Sequence, residues 1–250
     1  MNRGGEWIFG AHAVEEILRA RPETVKEVLI EHERRDPALG DAARLAKAAG
    51  VRVRYAPRRE LDRLSGSHAH QGLAARADLR VRHGLDGFLA GLAGRKDAVL
   101  LALDEIQDPH NLGAIGRSAL NLGAAGLIIP ERRASPVGAT AMRASAGALG
   151  KIERVEVINL GRALEACREK GFWIYGADMG GRPLWEAPLN LPLVLVLGSE
   201  GRGLRPGVRS LCDEIVSVPQ APESVESLNV SCAAAVLLYE IRRRGRAEGA

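Results

Sequence analysis

Residues 98–130, "AVLLALDEIQDPHNLGAIGRSALNLGAAGLIIP", run from one apolar segment through a polar turn and a helix-like pattern into a second apolar segment. Near-continuous apolar runs are what strands covered on both faces look like, and a strand–helix–strand unit pairs its strands in parallel. The stretch therefore commits this part of the chain to an α/β sheet. Its turn sits where many α/β proteins cradle a nucleotide phosphate. The glycines do not fit that use, because Gly113 and Gly116 stand three apart where the dinucleotide fingerprint is G-x-G-x-x-G. Arg117 stands where a third glycine would sit, and Asn111 opens the helix. A nicotinamide-dependent oxidoreductase is disfavoured on that ground.

The same pattern continues downstream. "FWIYGA", "LPLVLVLG" and "EIVSVP" read as further strands, with helical patterns at 135–149 and 160–171 between the runs. In the closing "SLNVSCAAAVLLYEIRRR", Val230, Ala233, Ala234, Leu237, Leu238 and Ile241 recur at three and four, one helical face. The expectation is a mostly parallel, doubly wound sheet over 98–250. Residues 1–78 form a separate, smaller α/β pattern. "GAHAVEEILRA" and "PALGDAARLAKAAG" read as helices, and "VKEVLIEH", "VRVRYA" and "HQGLAARA" as strands. Between the two, 79–97 is rich in glycine and charge and reads as a linker holding a short helix over "LDGFLAGLA".

With 46% apolar but only 4% aromatic residues, Ala, Leu and Val must fill the core. The 35 basic and 31 acidic residues leave a net charge of +4, which permits a nucleic-acid partner without demanding one. Cys167, Cys212 and Cys232 are far apart with no C-x-x-C spacing, which argues against a metal site or a disulfide framework. Free thiols suit a reducing cytoplasm. The N-terminus lacks an apolar core followed by a cleavage site, and no apolar run is long enough for a membrane span. A soluble, cytoplasmic protein without a membrane or metal partner is expected.

Ligands of open parallel sheets bind beyond the carboxyl ends of the strands. Three loops lie there: "QDPHNLGAIGRS" with Asn111 and Arg117, "GSEGRGL" with Glu200, and "QAPESVESLNVS" with Ser227 and Asn229. Each has an ordinary reading. Asn111 is a plausible helix N-cap, Arg117 a solvated helix residue, "GSEGRG" a turn, and Ser227 and Asn229 first-turn residues. His68, His70 and His110 lack metal spacing and read as surface or structural. The convergence of the three loops favours a site.

"DPHNLGAIGRSA", "LVLGSEGRGL" and "SLNVSCAAAVLLYE" resemble, in order and approximate spacing, the three signature motifs of the SpoU (TrmH) family of RNA ribose 2'-O-methyltransferases. The resemblance covers roughly 98–244. The stretch from "IFGAHAVEEIL" to "HQGLAAR" resembles the small ribosomal-protein-like RNA-binding domain of the branch that methylates a guanosine of 23S ribosomal RNA. The resemblance implies a trefoil-knotted catalytic domain, an S-adenosylmethionine cofactor, a homodimer and 23S RNA as partner. It places Leu197, Gly198, Gly201, Val218, Gln220 and Leu228 at the cofactor, and Asn111, Arg117, Glu200, Ser227 and Asn229 in catalysis. Arg117 is the central catalytic residue by this resemblance. A guanidinium hardly deprotonates, so positioning the ribose through its phosphate is the easier role than that of a base. Two departures stand out: "VPQ" replaces the family's usual "IPM", putting Gln220 near the cofactor, and the next loop is one residue longer and carries Glu223 and Glu226. In the first domain Arg52, Arg54, Arg58 and Arg59, with Arg63, are candidates for RNA contact, or else form a solvated charged face. Alternatives are a tRNA 2'-O-methyltransferase of the same family and a non-catalytic RNA-binding ribosome-assembly factor.

Overall fold

A computed structural model describes residues 5–32, 34, 36–66, 70–78, 84–221, 223 and 227–247. The chain opens with β1 (Glu6–Phe9), α1 (Ala11–Ala20), β2 (Val25–Glu31), α2 (Pro37–Ala48), β3 (Arg52–Ala56), α3 (Arg58–Ser65) and β4 (Leu73–Ala77). It continues through α4 (Leu85–Ala90), β5 (Val99–Leu103), α5 (Pro109–Asn121), β6 (Gly126–Pro130), α6 (Ala139–Ala144) and α7 (Ala148–Lys151). Then follow β7 (Arg154–Val157), α8 (Leu160–Glu169), β8 (Trp173–Pro183), β9 (Leu193–Leu197), α9 (Pro206–Arg209), β10 (Glu214–Ser217) and α10 (Val230–Ala247). Contacts divide the chain into two units: Met1–Arg80 with Pro136–Lys151, and Val81–Ser135 with Ile152–Ala250.

The first unit is built on a mixed sheet of order β1-β4-β2-β3, in which only β2 and β3 run parallel. Helix α1 buries Ala13, Val14, Ile17 and Leu18, at helical spacing along one face. Its first free N–H, on Ala11, is satisfied from afar by Gln71 Oε1 at 3.0 Å. Asp36 caps α2 by accepting from Ala38 N at 3.1 Å, and Pro37 takes the first helical position, where its missing N–H costs nothing. The basic stretch after β3 is itself a helix, α3, held by the fully buried Leu61. His70 is structural. Its Nε2 lies 2.9 Å from Asp62 Oδ1 and its Nδ1 accepts from Gly72 N at 3.0 Å. His68 lies outside the described residues.

Residues 136–151 correct the expectation of one helix within the second domain. They form two short helices grouped with the first unit, α6 and α7, parted by positive φ at Ala146 (49°) and Gly147 (84°). A Cβ at Gly147 would lie 2.8 Å from Glu16 Cβ, so only glycine lets the turn approach α1 this closely. Lys151 pairs with Glu16 there, and Ala139 packs on the cluster of Phe9, Leu29, Leu61 and Ala74. Periodicity reports that a face is buried but not which core receives it, and this segment's apolar face fits either.

The second unit is an all-parallel sheet of order β10-β8-β9-β5-β6-β7. All of β9 is buried, as its unbroken "LVLVL" requires. Strand β8 runs on beyond "FWIYGA" to Pro183. Gly181 makes this possible, since a Cβ there would lie 2.7 Å from the backbone of Ile215 and Val216 on the neighbouring β10. The helix within the expected linker, α4, is part of this core: Phe88 and Leu89 are buried with Leu100, Ile128 and Val155. Residues 79–83 of that stretch lie outside the described residues. No described helix is long and apolar enough to cross a membrane.

Two measurements check this packing. Leu195→Ala, at the centre of the sheet, should cost about 2–5 kcal/mol of unfolding free energy in a denaturant titration. Burial pushes the Cys167 thiol up to about 12 and that of Cys212 to about 11, whereas Cys232 is exposed. At pH 8 a thiol reagent should therefore label Cys232 first, with Cys167 reacting only on unfolding.

Candidate active site

The carboxyl ends of β5, β9 and β10 bring their three loops to the start of α10. Helix α5 does not open with Asn111. Asp108 is its N-cap, accepting from His110 N at 2.9 Å, and Pro109 takes the first position. The sequence rule selected the right chemistry at the wrong residue, since Asp and Asn cap equally well. Asn111 is thereby freed for another task. It is buried in the first turn, and its Oδ1 accepts from Asn229 Nδ2 at 3.0 Å. The same Nδ2 donates to Glu200 Oε1 at 2.5 Å. Asn229 Oδ1 accepts from Ser231 N at 2.9 Å and from Ser231 Oγ at 2.6 Å, capping α10. Asn229 thus caps α10 and at the same time ties it to Asn111 and Glu200.

The loop after β9 is folded back on itself. Ser199 and Gly203 exchange backbone bonds of 3.1 and 2.9 Å, with positive φ at Gly201 (77°) and Gly203 (65°). A Cβ on Gly198 would lie 2.2 Å from the Gly203 carbonyl carbon, so the fold-back needs glycine at 198. Two residues that sequence reasoning passed over anchor this loop. Asp104, fully buried at the end of β5, accepts from Arg205 N at 2.9 Å and from Arg205 Nε at 2.6 Å. A charged residue directly following an unbroken apolar strand was the available signal.

Two cavities adjoin here. One, of about 230 Å³, is lined by Gly198, Glu200, Gly201, Val218, Gln220, Ser227 and Leu228, together with Asp178 and Met179. The other, of about 390 Å³, is lined by Glu105, Gln107, Asp108 and Asn111. Ser199, Glu200, Arg202 and Val230 line both. Val230 and Ala233 explain why the apolar stripe of α10 is not wholly buried: with the buried Leu237 they line the first cavity, while Ala234, Leu238 and Ile241 are buried away from it. Leu197 is buried at the end of β9 and lines neither cavity. Arg117, two turns along α5, is exposed, lines neither cavity and makes no hydrogen bond or ion pair among the described residues. Glu223 is exposed, and Glu226 lies outside the described residues.

The chemistry of the first cavity fits S-adenosylmethionine. Leu228 and Met179 present apolar surface to solvent at 41% and 63% exposure, as an adenine-binding wall does. The carboxylates of Glu200 and Asp178 suit a ligand bearing a sulfonium and an ammonium charge. No group of His, Cys, Asp and Glu among the described residues could hold a metal ion.

In the first unit Arg54 is spoken for. Its guanidinium donates to both oxygens of Glu60, at 2.8 and 3.2 Å, and lies 3.7 Å from Glu27, and the bond to Glu60 raises its pKa. Arg58 lies 3.9 Å from Asp62, while Arg52 and Arg59 are exposed. Tyr55 on β3 is 54% exposed and meets His32 edge-on with ring centroids 6.4 Å apart.

Comparison with known proteins agrees with this geometry. The SpoU rRNA Methylase family model matches residues 98–239, and a model for RNA 2'-O ribose methyltransferase substrate binding matches residues 7–80. A 23S rRNA (guanosine-2'-O-)-methyltransferase RlmB from Xanthomonas campestris is 40% identical, covering 98% of each chain. A tRNA/rRNA methyltransferase of Mycobacterium avium, itself uncharacterized, is 42% identical over 96% of this chain and 78% of its own. The crystal structure of the SpoU methyltransferase AviRb from Streptomyces viridochromogenes, in complex with AdoMet, superposes with a TM-score of 0.80 at 26% identity, covering 96% of this chain and 90% of that one.

Replacing Asn229 tests the network. Asn229→Ala should lower stability by about 1 kcal/mol through the lost cap, read by denaturant unfolding. Asn229→Asp keeps the cap but faces Glu200 with a second carboxylate. Its deficit should therefore be larger at pH 8 than at pH 4, where the pair can hold a proton.

Proposed function

The chain belongs to the SpoU rRNA methylase family, and from that membership we propose that it transfers a methyl group from S-adenosylmethionine to the ribose 2'-hydroxyl of a guanosine in 23S ribosomal RNA. The observation that carries this reading is the pair of cavities sharing Glu200, one suited to the cofactor and one left for a nucleotide. Bound S-adenosylmethionine supplies an electrophilic methyl group on a sulfonium. Gly198, Val218, Gln220, Ser227 and Leu228 would hold it, with backbone groups reading the adenine and apolar side chains packing on it. Leu197 and Gly201 contribute by shaping the loop rather than through their side chains.

The remaining work is to orient the ribose hydroxyl and ease the loss of its proton. Asn111 has its Oδ1 occupied by Asn229 and lines the second cavity, so its Nδ2 is the donor available to a ribose oxygen. Asn229 is fully committed to Asn111, Glu200 and its own helix. It acts by holding those two residues in place. Arg117, with all its donors free among the described residues, is suited to a backbone phosphate next to the target ribose. A guanidinium in that role stabilises negative charge developing on the oxygen and takes no proton itself.

The first unit is the substrate-binding module, with Arg52 and Arg59, which make no ion pair among the described residues, as cations for RNA and Tyr55 as a surface for stacking a base. We assign the protein to the cytoplasm and to a homodimer; Trp185, Val236 and Tyr239 are exposed apolar side chains of the kind a subunit interface covers. The family's trefoil knot is part of the same proposal. It is supported by the seating of residue 229, near the chain's end, against residues 111 and 200.

Mapping 2'-O-methyl sites in ribosomal RNA with and without the protein is the deciding test. One guanosine of 23S RNA should lose its methyl group when the protein is absent, and labelling confined to tRNA would overturn the choice of substrate. Arg117→Ala should lower kcat/KM for an RNA fragment by about a hundredfold or more while leaving S-adenosylmethionine affinity unchanged.

A further inference from the structure

Asp104 has no solvent exposure, and burying a carboxylate is costly unless it is paired and hydrogen-bonded. Its pairing is directed entirely at one residue. Oδ2 accepts from the Arg205 backbone N–H at 2.9 Å, and Oδ1 lies 2.6 Å from both Nε and Nη2 of the same residue. Arg205 closes the fold-back that begins at Gly198 and carries Glu200 at its tip. The β5 backbone reinforces the contact, since Asp104 N donates to Leu197 O at 2.7 Å immediately before that loop departs. The loop is therefore pinned at both ends to one residue of the central sheet. Arg205 Nε also lies 3.6 Å from Glu105 Oε1, and Glu105 lines the second cavity.

The structure assigns Asp104 and Arg205 as positioning residues for methyl transfer, a latch that sets where Glu200 stands between the two cavities. This rests on the functional reading above. Neither side chain lines the cofactor cavity, so both act through the loop. Arg205 is 40% exposed at its side chain, but replacing it leaves the buried Asp104 carboxylate with only the backbone N–H of residue 205 as partner.

The test titrates S-adenosylmethionine into the full chain by calorimetry and measures kcat and KM on a 23S RNA fragment. The proteins are the wild type, Asp104→Asn, Arg205→Lys and Arg205→Met. Arg205→Met should weaken S-adenosylmethionine binding and lower kcat, each by about tenfold or more, with RNA affinity held within about twofold; it should also lower the melting temperature, because the buried Asp104 keeps only a backbone partner, so the measurements are made well below that temperature. Arg205→Lys restores the charge but not the paired Nε and Nη2 donors and should fall between the two. Asp104→Asn should match Arg205→Met if it folds, and the Arg205 variants carry the test if it does not. Wild-type binding of S-adenosylmethionine with unchanged affinity and kcat in both Arg205 variants would overturn the latch alone. No binding by the wild type would remove the cofactor reading, and the latch with it.

Discussion

One amide group holds the site together. Asn229 Nδ2 donates to an asparagine 118 residues upstream and to a glutamate 29 residues upstream, while its oxygen caps the last helix. These bonds satisfy the amide completely, leaving it no alternative partner to turn toward. Two loops of the sheet edge are thus fixed relative to α10 by a single side chain whose rotamer is set by the helix it caps. A hydroxyl could not do this, because it has one hydrogen to give. A carboxylate could not either, having none to give and repelling Glu200.

The sequence revealed much of this, and its gaps have physical causes. Unbroken apolar strands announced the parallel sheet, and the polar residues after three of them do meet at one edge, because a strand buried on both faces leaves polar side chains room only at its end. Asn111 and Asn229 were visible as residue types, but their mutual hydrogen bond is a long-range fact that no local pattern encodes. Asp108 took the capping role assigned to Asn111, since capping depends on backbone geometry that differs by one turn position. Arg54 looked like a free cation in a basic stretch. Glu27 on the adjacent strand, half of what immobilises it, becomes its neighbour only when β2 pairs with β3. Arg117 is the converse case: a residue singled out by resemblance that this chain leaves with every donor uncommitted among the described residues.

Charge is distributed against expectation for a nucleic-acid partner. The cavities carry Glu105, Asp108, Asp178 and Glu200, with Arg202 as the only basic residue lining either of them. Such a lining favours a cationic cofactor and a neutral base or sugar, and it repels phosphate. Arg117, exposed on α5, lines neither cavity.

The return of residues 136–151 to the first unit also bears on how the protein is made. Synthesis delivers β1 to β4 early, but α6 and α7, which cover part of that unit's core, arrive only after β5, α5 and β6 of the other unit. The first unit cannot finish folding as an N-terminal piece released from the ribosome ahead of its successor, as consecutive domains generally do. Its surface around Phe9 and Leu61 waits for Ala139 through the synthesis of about a quarter of the chain after β4.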